Sequence, residues 1–299
     1  MRISAQYQGD SGGPKLFARR AEAAGFDAVF CGDHVAHLGD GLATLALMAG
    51  ATDTITVGLN LLVTPYRPAA VIAKALATIA LAAPGRVIAG FGVGGEFPGE
   101  FQATNAEVRS RGARTDESLE VITALWTGQP LTHHGRFFDL DDFTLEPPPR
   151  PAPEIWIGGR SEAALRRTIR YGTTYSPYLV SPDQLAKRAA RLGELAAAAG
   201  VARPRLAALL TFIPGPDVDT AVQLGLSSFK LSGMSPDSVK AHYLLGDDRD
   251  ILDRAAQYAA VGLDELILGA LPASPGVVED YFSTSTRLLA PLRALGATS

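Results

Sequence analysis

Ionisable side chains follow two apolar or glycine-rich stretches of the sequence. Asp33 and His34 come after the run "DAVFCG", and Glu96 and Glu100 come after the run "IAGFGVGG". Histidines and carboxylates are the side chains that most often transfer protons near neutral pH. All four residues are therefore candidates for acid–base catalysis, although the position of His34 alone fits a structural histidine bonded to a loop carbonyl equally well.

The glycine-rich stretch, Gly85 to Phe101, carries Gly90, Gly92 and Gly95 in the order G-x-G-x-x-G. In the dinucleotide-binding use of this motif, the last glycine opens a helix whose N-terminus holds a pyrophosphate. Pro98 follows closely, and proline inside a helix removes a hydrogen bond, so we expect a loop after Gly95. The motif therefore does not indicate a dinucleotide-binding fold.

A second glycine pair lies in "IWIGGRSEAALRRTIRYG". Gly158 and Gly159 leave backbone amides unshielded, Ser161 can cap the following helix, and Arg160 adds positive charge at the helix N-terminus. This combination favours a phosphate site. An ordinary tight turn before a capped helix is the alternative interpretation.

Composition and charge argue against several classes of partner. The 299 residues include 27 basic and 31 acidic side chains, and the net charge of −4 offers no broad attraction for nucleic acid or anionic lipid. The stretch "MRISAQYQGDSGG" lacks a secretory core, and the apolar stretch Ala69 to Ala83 is interrupted by Lys74 and is too short to span a bilayer. We expect a cytoplasmic protein without nucleic-acid or membrane partners.

The residues needed for metal, hydrolase or kinase chemistry do not occur in the required patterns. Cys31 is the single cysteine, which excludes an internal disulfide and a cysteine-based metal cluster. His133 and His134 have no partner at helical spacing, so we expect surface-loop histidines and no metal. The sequence contains no G-x-S-x-G, H-E-x-x-H or P-loop motif.

Strand and helix patterns alternate along the chain. Ala24 to Gly32 and Val261 to Gly269 each follow an alanine-rich stretch and end in a glycine after an apolar run, which is typical of buried parallel strands. Leu224 to Gly233 is a weaker copy of this pattern, and it indicates either an extra strand or a decoy, that is, a chance match that forms no strand. The remaining predicted strands are Ile3 to Tyr7, Ile55 to Val63, Val87 to Phe91, Ile155 to Ile157, Thr173 to Tyr175 and Leu206 to Ile213. The predicted helices are Pro14 to Ala24, Leu42 to Ala51, Pro68 to Ala82, Asp116 to Trp126, Ser161 to Tyr171, Pro182 to Ala199 and Asp250 to Val261.

This alternation predicts an α/β fold, a (β/α)8 TIM barrel formed by residues 1–299 as one domain. An open doubly wound sheet is the alternative. The proline-rich stretch 128–153 is interpreted as an irregular excursion within the domain. Since the carboxyl ends of barrel strands share one rim, the residues that follow the strands are expected to converge there.

Four stretches together resemble the luciferase-like monooxygenase family, in the same order along the chain. They are "FCGDHV", "GRVIAGFGVGGEFPGEFQATNAEVRSRGARTDESLEVITALWTG", "HGRFFDLDDFTLEPPPRPAPEIWIGGRSEAALRRTIRYG" and "LLGDDRDILDRAAQYAAVGLDELILGA". Within the family, "CGDHV" and "LLVTPYRP" look most like the branch that uses the deazaflavin F420. Relatives that use FMN share much of this framework.

The resemblance implies a bacterial-luciferase-like barrel, usually a homodimer, with the cofactor ring at the C-terminal mouth. It implies that a bulge with a cis peptide at Leu61–Leu62 supports the ring, and that the glycines let the backbone approach it. Asp33 and His34 are implied to lie beside the reacting carbon, with Glu96 as a further catalytic candidate. The cofactor-binding residues implied are Asn60, Leu61, Leu62, Val63, Gly94, Gly95, Glu100, Gly158, Gly159, Arg160 and Ser161.

The function implied is hydride transfer between coenzyme F420 and a small organic substrate. An FMN-dependent monooxygenase is the alternative within the enzyme class. A flavin-binding or deazaflavin-binding barrel without turnover is the alternative outside it, because a fold does not guarantee an activity.

Overall fold

The computed structural model describes residues 1–9, 12–95, 97–228, 231, 233–271 and 277–296. The strands are β1 (Arg2–Tyr7), β2 (Ala28–Cys31), β3 (Thr56–Leu59), β4 (Leu62–Val63), β5 (Val87–Gly92), β6 (Leu131–His134), β7 (Asp139–Phe143), β8 (Glu154–Ile157), β9 (Thr174–Tyr175), β10 (Arg205–Pro214), β11 (Leu244–Gly246) and β12 (Glu265–Ala270). The helices are α1 (Gly13–Ala23), α2 (Gly41–Ala49), α3 (Ala69–Ala82), α4 (Pro98–Ala103), α5 (Arg111–Leu125), α6 (Glu162–Tyr171), α7 (Pro182–Ala199), α8 (Val218–Ser227), α9 (Pro236–His242), α10 (Asp248–Ala259) and α11 (Val277–Leu295).

Parallel strands close into a barrel in the order β1, β2, β3, β5, β8, β9, β10 and β12. The closing pair joins the two ends of the chain, with Arg2 of β1 opposite Glu265 of β12. The predicted (β/α)8 barrel is therefore confirmed, and the alternative of an open sheet is wrong. The prediction of a single domain stays a prediction.

Alternation along the strands separates two cores. Inward-facing residues, among them Phe30, Ile88 and Trp156, form a compact cluster inside the barrel, with the Phe30 and Trp156 rings 5.0 Å apart. Outward-facing residues such as Val29 and Ile157 pack with the helices in a much larger cluster. Large side chains therefore fill this part of the barrel's interior.

Local sequence explains where several helices begin. Ser181 of α7 forms a capping box with Gln184, and Ser161 accepts a hydrogen bond from Ala164 at the start of α6. The predicted bounds of α7 are confirmed. The prediction of a loop after Gly95 is wrong in part, because α4 begins at Pro98. Proline lacks a backbone N–H, but in the first turn of a helix that N–H would have no helical acceptor.

Other expectations are corrected in the second half of the chain. The interpretation of Leu224 to Gly233 as an extra strand is wrong for its first residues, which complete α8. Asp217 caps this helix by accepting from the Thr220 amide, which favours helix over strand. The excursion 128–153 contains the antiparallel hairpin β6–β7, and β11 beside β10 was not predicted, because three residues are too few to show a periodic pattern.

The Glu22 carboxylate fastens α1 to the segment that enters β3. Its Oε1 accepts hydrogen bonds from the backbone amides of Asp53, Thr54 and Ile55 at 2.7–3.0 Å. Burial alone would raise the pKa of Glu22, but these hydrogen bonds outweigh it and lower the pKa to about 2. The folded state therefore favours the ionised form of the Glu22 carboxyl more than the unfolded state does.

We expect Glu22→Ala to lower the free energy of unfolding at pH 7 by on the order of 1–2 kcal/mol, because three amides lose their acceptor. The wild-type advantage should shrink as the pH falls from about 4.5 towards 2, where the folded carboxylate becomes protonated. Urea unfolding at pH 7 and pH 3 measures this, with the exposed Glu194→Ala as control. Equal losses at both pH values would contradict the assignment.

Candidate active site

The barrel's third strand position is interrupted at the C-terminal mouth. β3 ends at Leu59, β4 begins at Leu62, and the two residues between them are joined by a cis peptide bond, Asn60–Leu61. The expected position, Leu61–Leu62, is thus one residue too late, because Leu62 has already resumed strand pairing with β5. The interruption itself lies where the family resemblance implied a bulge, just before Val63.

Two glycines on neighbouring strands make room for the bulge. A Cβ at Gly158 would overlap Leu61 Cδ1 outright. A Cβ at Gly90 would overlap the Leu59 carbonyl oxygen and stand 2.8 Å from Leu61 Cδ2, whereas one at Gly92 would lie 3.4 Å from Leu61 Cβ, in ordinary contact. The first glycine of the G-x-G-x-x-G motif therefore accommodates the bulge.

Gly94 and Gly95 continue the chain with positive φ angles of 61° and 119°, which favour glycine. A Cβ at Gly94 would lie 2.5 Å from Val63 Cγ1, so the turn also packs against the end of the bulge. The neighbouring Glu96 lies outside the described residues. Leu62 is fully buried in the outer core, and its side chain therefore supports the bulge from the helical side.

Asp33 is a buried anchor for the loop after β2. Its Oδ1 accepts from the Gly41 amide at 2.9 Å, and its Oδ2 accepts from the Val63 amide at 3.0 Å. The Arg67 guanidinium binds both carboxylate oxygens at 2.8 and 2.9 Å and also reaches Asp40. With its side chain 0% exposed and both oxygens engaged, Asp33 ties together the bulge, the start of α2 and the loop that carries His34.

His34 is paired with Glu100, which lies on α4 and is only 2% exposed. The distance from His34 Nδ1 to Glu100 Oε2 is 3.2 Å, and the same oxygen accepts from the Tyr66 hydroxyl at 3.0 Å. Glu100 Oε1 accepts from the amides of Val35 and Ala36, both at 2.9 Å. Burial alone would raise the pKa of Glu100, but these hydrogen bonds hold it below its ordinary value.

Aromatic rings form a rim around His34. The Phe97 ring meets the imidazole edge to face, with centroids 5.2 Å apart, and the His37 ring lies 4.9 Å from Phe97. Val35, Leu38 and Phe97 are exposed at 40–48%. The imidazole thus contacts the apolar Phe97 ring as well as the Glu100 carboxylate, and its own side chain remains a quarter exposed.

The two glycines of the second pair, Gly158 and Gly159, make different hydrogen bonds. The Gly158 amide donates to the Phe91 carbonyl at 3.0 Å, so this amide belongs to the sheet and is not free for a phosphate. Gly159 has a φ of 116°, and its carbonyl accepts from the Tyr175 hydroxyl at 2.7 Å. A phosphate site at this turn therefore depends on the residues after Gly158.

Arg188, which sequence reasoning missed, supports the turn from α7. Its Nη1 donates to the Arg160 carbonyl, and its buried Nε has no partner within the described part of the chain. Together with the exposed Arg160 it places positive charge beside the N-terminus of α6. No sequence signal marked Arg188, because it is one of several arginines on an ordinary amphipathic helix.

The histidines of the excursion lie away from this site. His133 and His134 are on β6 and not in a loop, and each has an acidic neighbour in space: Glu117 for His133, Asp139 and Asp141 for His134. Among the described residues, no group of three or more histidine, cysteine or acidic side chains could hold a metal ion. Over the same residues, no helix has the length and apolar character needed to cross a bilayer.

A family model described as luciferase-like monooxygenase matches residues 15–231, and the chain belongs to this family. A structure of an F420-dependent secondary alcohol dehydrogenase with an F420–acetone adduct superimposes with a TM-score of 0.86 at 21% identity, covering 98% of this chain and 99% of that one. This likeness shows the fold. A structure of a type II Baeyer–Villiger monooxygenase from Pseudomonas putida in complex with FMN gives a TM-score of 0.77 at 18% identity, covering 98% of each chain.

Sequence relatives carry names from both cofactor branches. An F420-dependent glucose-6-phosphate dehydrogenase of Microbacterium testaceum is 30% identical over 53% of this chain and 50% of its own. An FMNH2-dependent dimethylsulfone monooxygenase of Pseudomonas putida is 38% identical over 44% of this chain and 36% of its own. The chain thus spans about half or less of the length of the curated relatives it matches.

The fit between Leu61 and Gly158 can be tested by adding a methyl group. We expect Gly158→Ala to lower the free energy of unfolding by about 1–3 kcal/mol, because the new Cβ overlaps Leu61 and approaches the Ser176 carbonyl. Urea unfolding is the measurement, and Gly193→Ala on α7, where a Cβ meets nothing within 4 Å, is the control.

Combining Gly158→Ala with Leu61→Ala should cost less than the sum of the two single changes, by about 0.5–3 kcal/mol. Strict additivity would show that the two residues do not share this space.

Proposed function

We propose that the protein is an F420-dependent oxidoreductase that moves a hydride between F420 and a small organic alcohol or carbonyl compound. The observation that carries the proposal is the His34–Glu100 pair, held beside the cis-peptide bulge at the barrel mouth. Relatives named as F420-dependent dehydrogenases, and the fold shared with the secondary alcohol dehydrogenase, support it.

The residues present fit a planar heteroaromatic ring. Gly92 carries no side chain at the mouth, and an added Cβ there would make only ordinary contact with Leu61 at 3.4 Å. Gln6 at the end of β1 is 4% exposed, and its Oε1 has no hydrogen-bond partner within the described ranges. A ring that carries N–H groups would satisfy that buried acceptor.

The residues proposed to hold the cofactor fall into two groups. Asn60, Leu61 and Val63 of the bulge, with Gly94 and Gly95, would support the ring. Gly159, Arg160 and Ser161, joined by Arg188, would hold the anionic tail, because amides at a helix N-terminus and two guanidinium groups favour a phosphate. We assign Gly158 instead to the packing of Leu61. We assign Glu100 to the pairing with His34.

When bound, F420 supplies a carbon that accepts or releases a hydride. The protein then has to manage the proton on the substrate oxygen, and we assign this step to His34. Oxidation of an alcohol requires the imidazole to accept that proton, whereas reduction of a carbonyl requires the imidazole to donate it. Asp33 holds the loop in place, and the apolar rim around Phe97 favours an uncharged substrate.

A monooxygenase that uses reduced FMN is the second candidate. The observation that favours it is the 38% identity to the dimethylsulfone monooxygenase. Both candidates place a similar ring in the same mouth, and the tail distinguishes them. Titration of the apoprotein with F420 and with FMN, followed by ligand fluorescence, tests the proposal; tighter binding of FMN, with turnover dependent on oxygen, would overturn it.

We expect His34→Asn to lower turnover of F420 with a secondary alcohol by roughly 10²-fold or more, because asparagine cannot exchange a proton. The dissociation constant for F420 should stay nearly unchanged. His133→Asn is the matched control, since His133 also pairs with a glutamate but lies on β6. If His34→Asn turned over at the wild-type rate across the pH range, the prediction would be contradicted and His34 would have a structural role.

The small-molecule substrate, the homodimer and the cytoplasmic location remain predictions. Exposed apolar residues on the adjacent helices α2 and α3, namely Leu47, Val71 and Leu81, support association of two copies. Light scattering at micromolar concentration measures the mass directly, and a monomer would contradict the dimer.

A further inference from the structure

The chemistry of the Glu100 carboxylate restricts how the proton on His34 is placed. Both oxygens of Glu100 accept hydrogen bonds, two from backbone amides on Oε1 and one from the Tyr66 hydroxyl on Oε2. An ionised carboxylate has no hydrogen to donate. The ring atom that faces it, His34 Nδ1 at 3.2 Å, therefore has to carry the hydrogen.

We propose that Glu100 is a positioning residue that holds His34 as the Nδ1–H tautomer and so keeps Nε2 available as the proton acceptor at the barrel mouth. The inference rests on the role proposed for His34 above. It assigns to Glu100 a function through the histidine, whereas the family resemblance implied direct contact with cofactor or substrate.

The ionised state of Glu100 follows from its surroundings. Its oxygens face donors from two segments, the backbone after His34 and the short turn that carries Tyr66. These hydrogen bonds favour the carboxylate over the acid and keep the pKa of Glu100 below its ordinary value, although burial opposes them. Nε2 of His34 has no partner among the described residues, so one nitrogen of the ring is fixed and the other is available.

A second glutamate–histidine pair in the chain provides a matched control. Glu117 on α5 faces His133 Nε2 at 3.3 Å and accepts from the amides of Phe137 and Phe138, both at 2.9 Å. Its other oxygen accepts from the Arg136 amide at 3.1 Å, so Glu117, like Glu100, is held by backbone amides and an imidazole, but it has no hydroxyl donor and anchors the β6–β7 hairpin. A change at Glu117 reproduces the chemical substitution without touching the barrel mouth.

Glu100→Gln changes the hydrogen-bonding role of His34 Nδ1 from donor to acceptor. The amide oxygen of glutamine can still accept from the Val35 and Ala36 amides, which leaves its NH₂ group towards His34 and Tyr66. A neutral imidazole must then accept at Nδ1 and carry its hydrogen on Nε2. The loop keeps its backbone anchors, while the nitrogen available for proton abstraction is lost.

The experiment is long-range ¹H–¹⁵N NMR of the full chain labelled at its five histidines, recorded at about pH 8.5, where a neutral imidazole shows its tautomer. The His34 signals are assigned by their loss in His34→Asn. We expect the Nδ1–H tautomer in the wild type and in Glu117→Gln, and the Nε2–H tautomer in Glu100→Gln.

Kinetics with F420 and a secondary alcohol provide the second readout. Glu100→Gln should lower kcat for alcohol oxidation by about tenfold or more, with KM and F420 affinity within about twofold of wild type. Glu117→Gln should leave all three values unchanged. Adding Glu100→Gln to His34→Asn should cause no further loss, because the positioning effect acts through the histidine.

Two results would overturn the inference: an Nε2–H tautomer in the wild type, or the same tautomer in wild type and Glu100→Gln. The first needs no variant at position 100, so it remains decisive if Glu100→Gln does not fold. Failure of the proposed function has a different signature, namely no turnover by the wild type with F420. The tautomer measurement tests the positioning role in that case as well.

Discussion

The side chain of Leu61 occupies the space beside Gly158, and the geometry of the barrel mouth depends on this fit. A Cβ at Gly158 would overlap the leucine, and one at Gly90 would overlap the Leu59 carbonyl oxygen, so the bulge and two neighbouring strands specify one another. The bulge in turn offers the Val63 amide to Asp33, which connects it to the loop of His34. A steric requirement at one residue thereby sets the position of an ionisable one.

Two buried carboxylates turn that packing into a defined electrostatic arrangement. Asp33 is held by two backbone amides and by the guanidinium of Arg67, and Glu100 by two backbone amides, a hydroxyl and an imidazole. Isolated buried charges would be costly, but fully hydrogen-bonded ones are stable and rigid. Both acids therefore serve as fixed anchors for the loop that carries His34, whose side chain remains partly open to solvent.

The same barrel occurs in proteins named for F420 and in proteins named for FMN, so the fold does not by itself select the cofactor. Arg160 and Arg188 are the charged groups beside the N-terminus of α6 at which we propose that a tail phosphate binds.

The sequence alone determined the barrel, most strand and helix positions, the cap at Ser161 and the candidacy of His34, because these follow from periodicity and from short motifs. Tertiary structure decided the pairing of His34 with Glu100, which are 66 positions apart, and the support of Arg160 by Arg188. It also showed that the cis bond joins Asn60 and Leu61, one residue before the expected position, and it revealed β11. Such features depend on contacts between distant segments, for which a local pattern carries no signal.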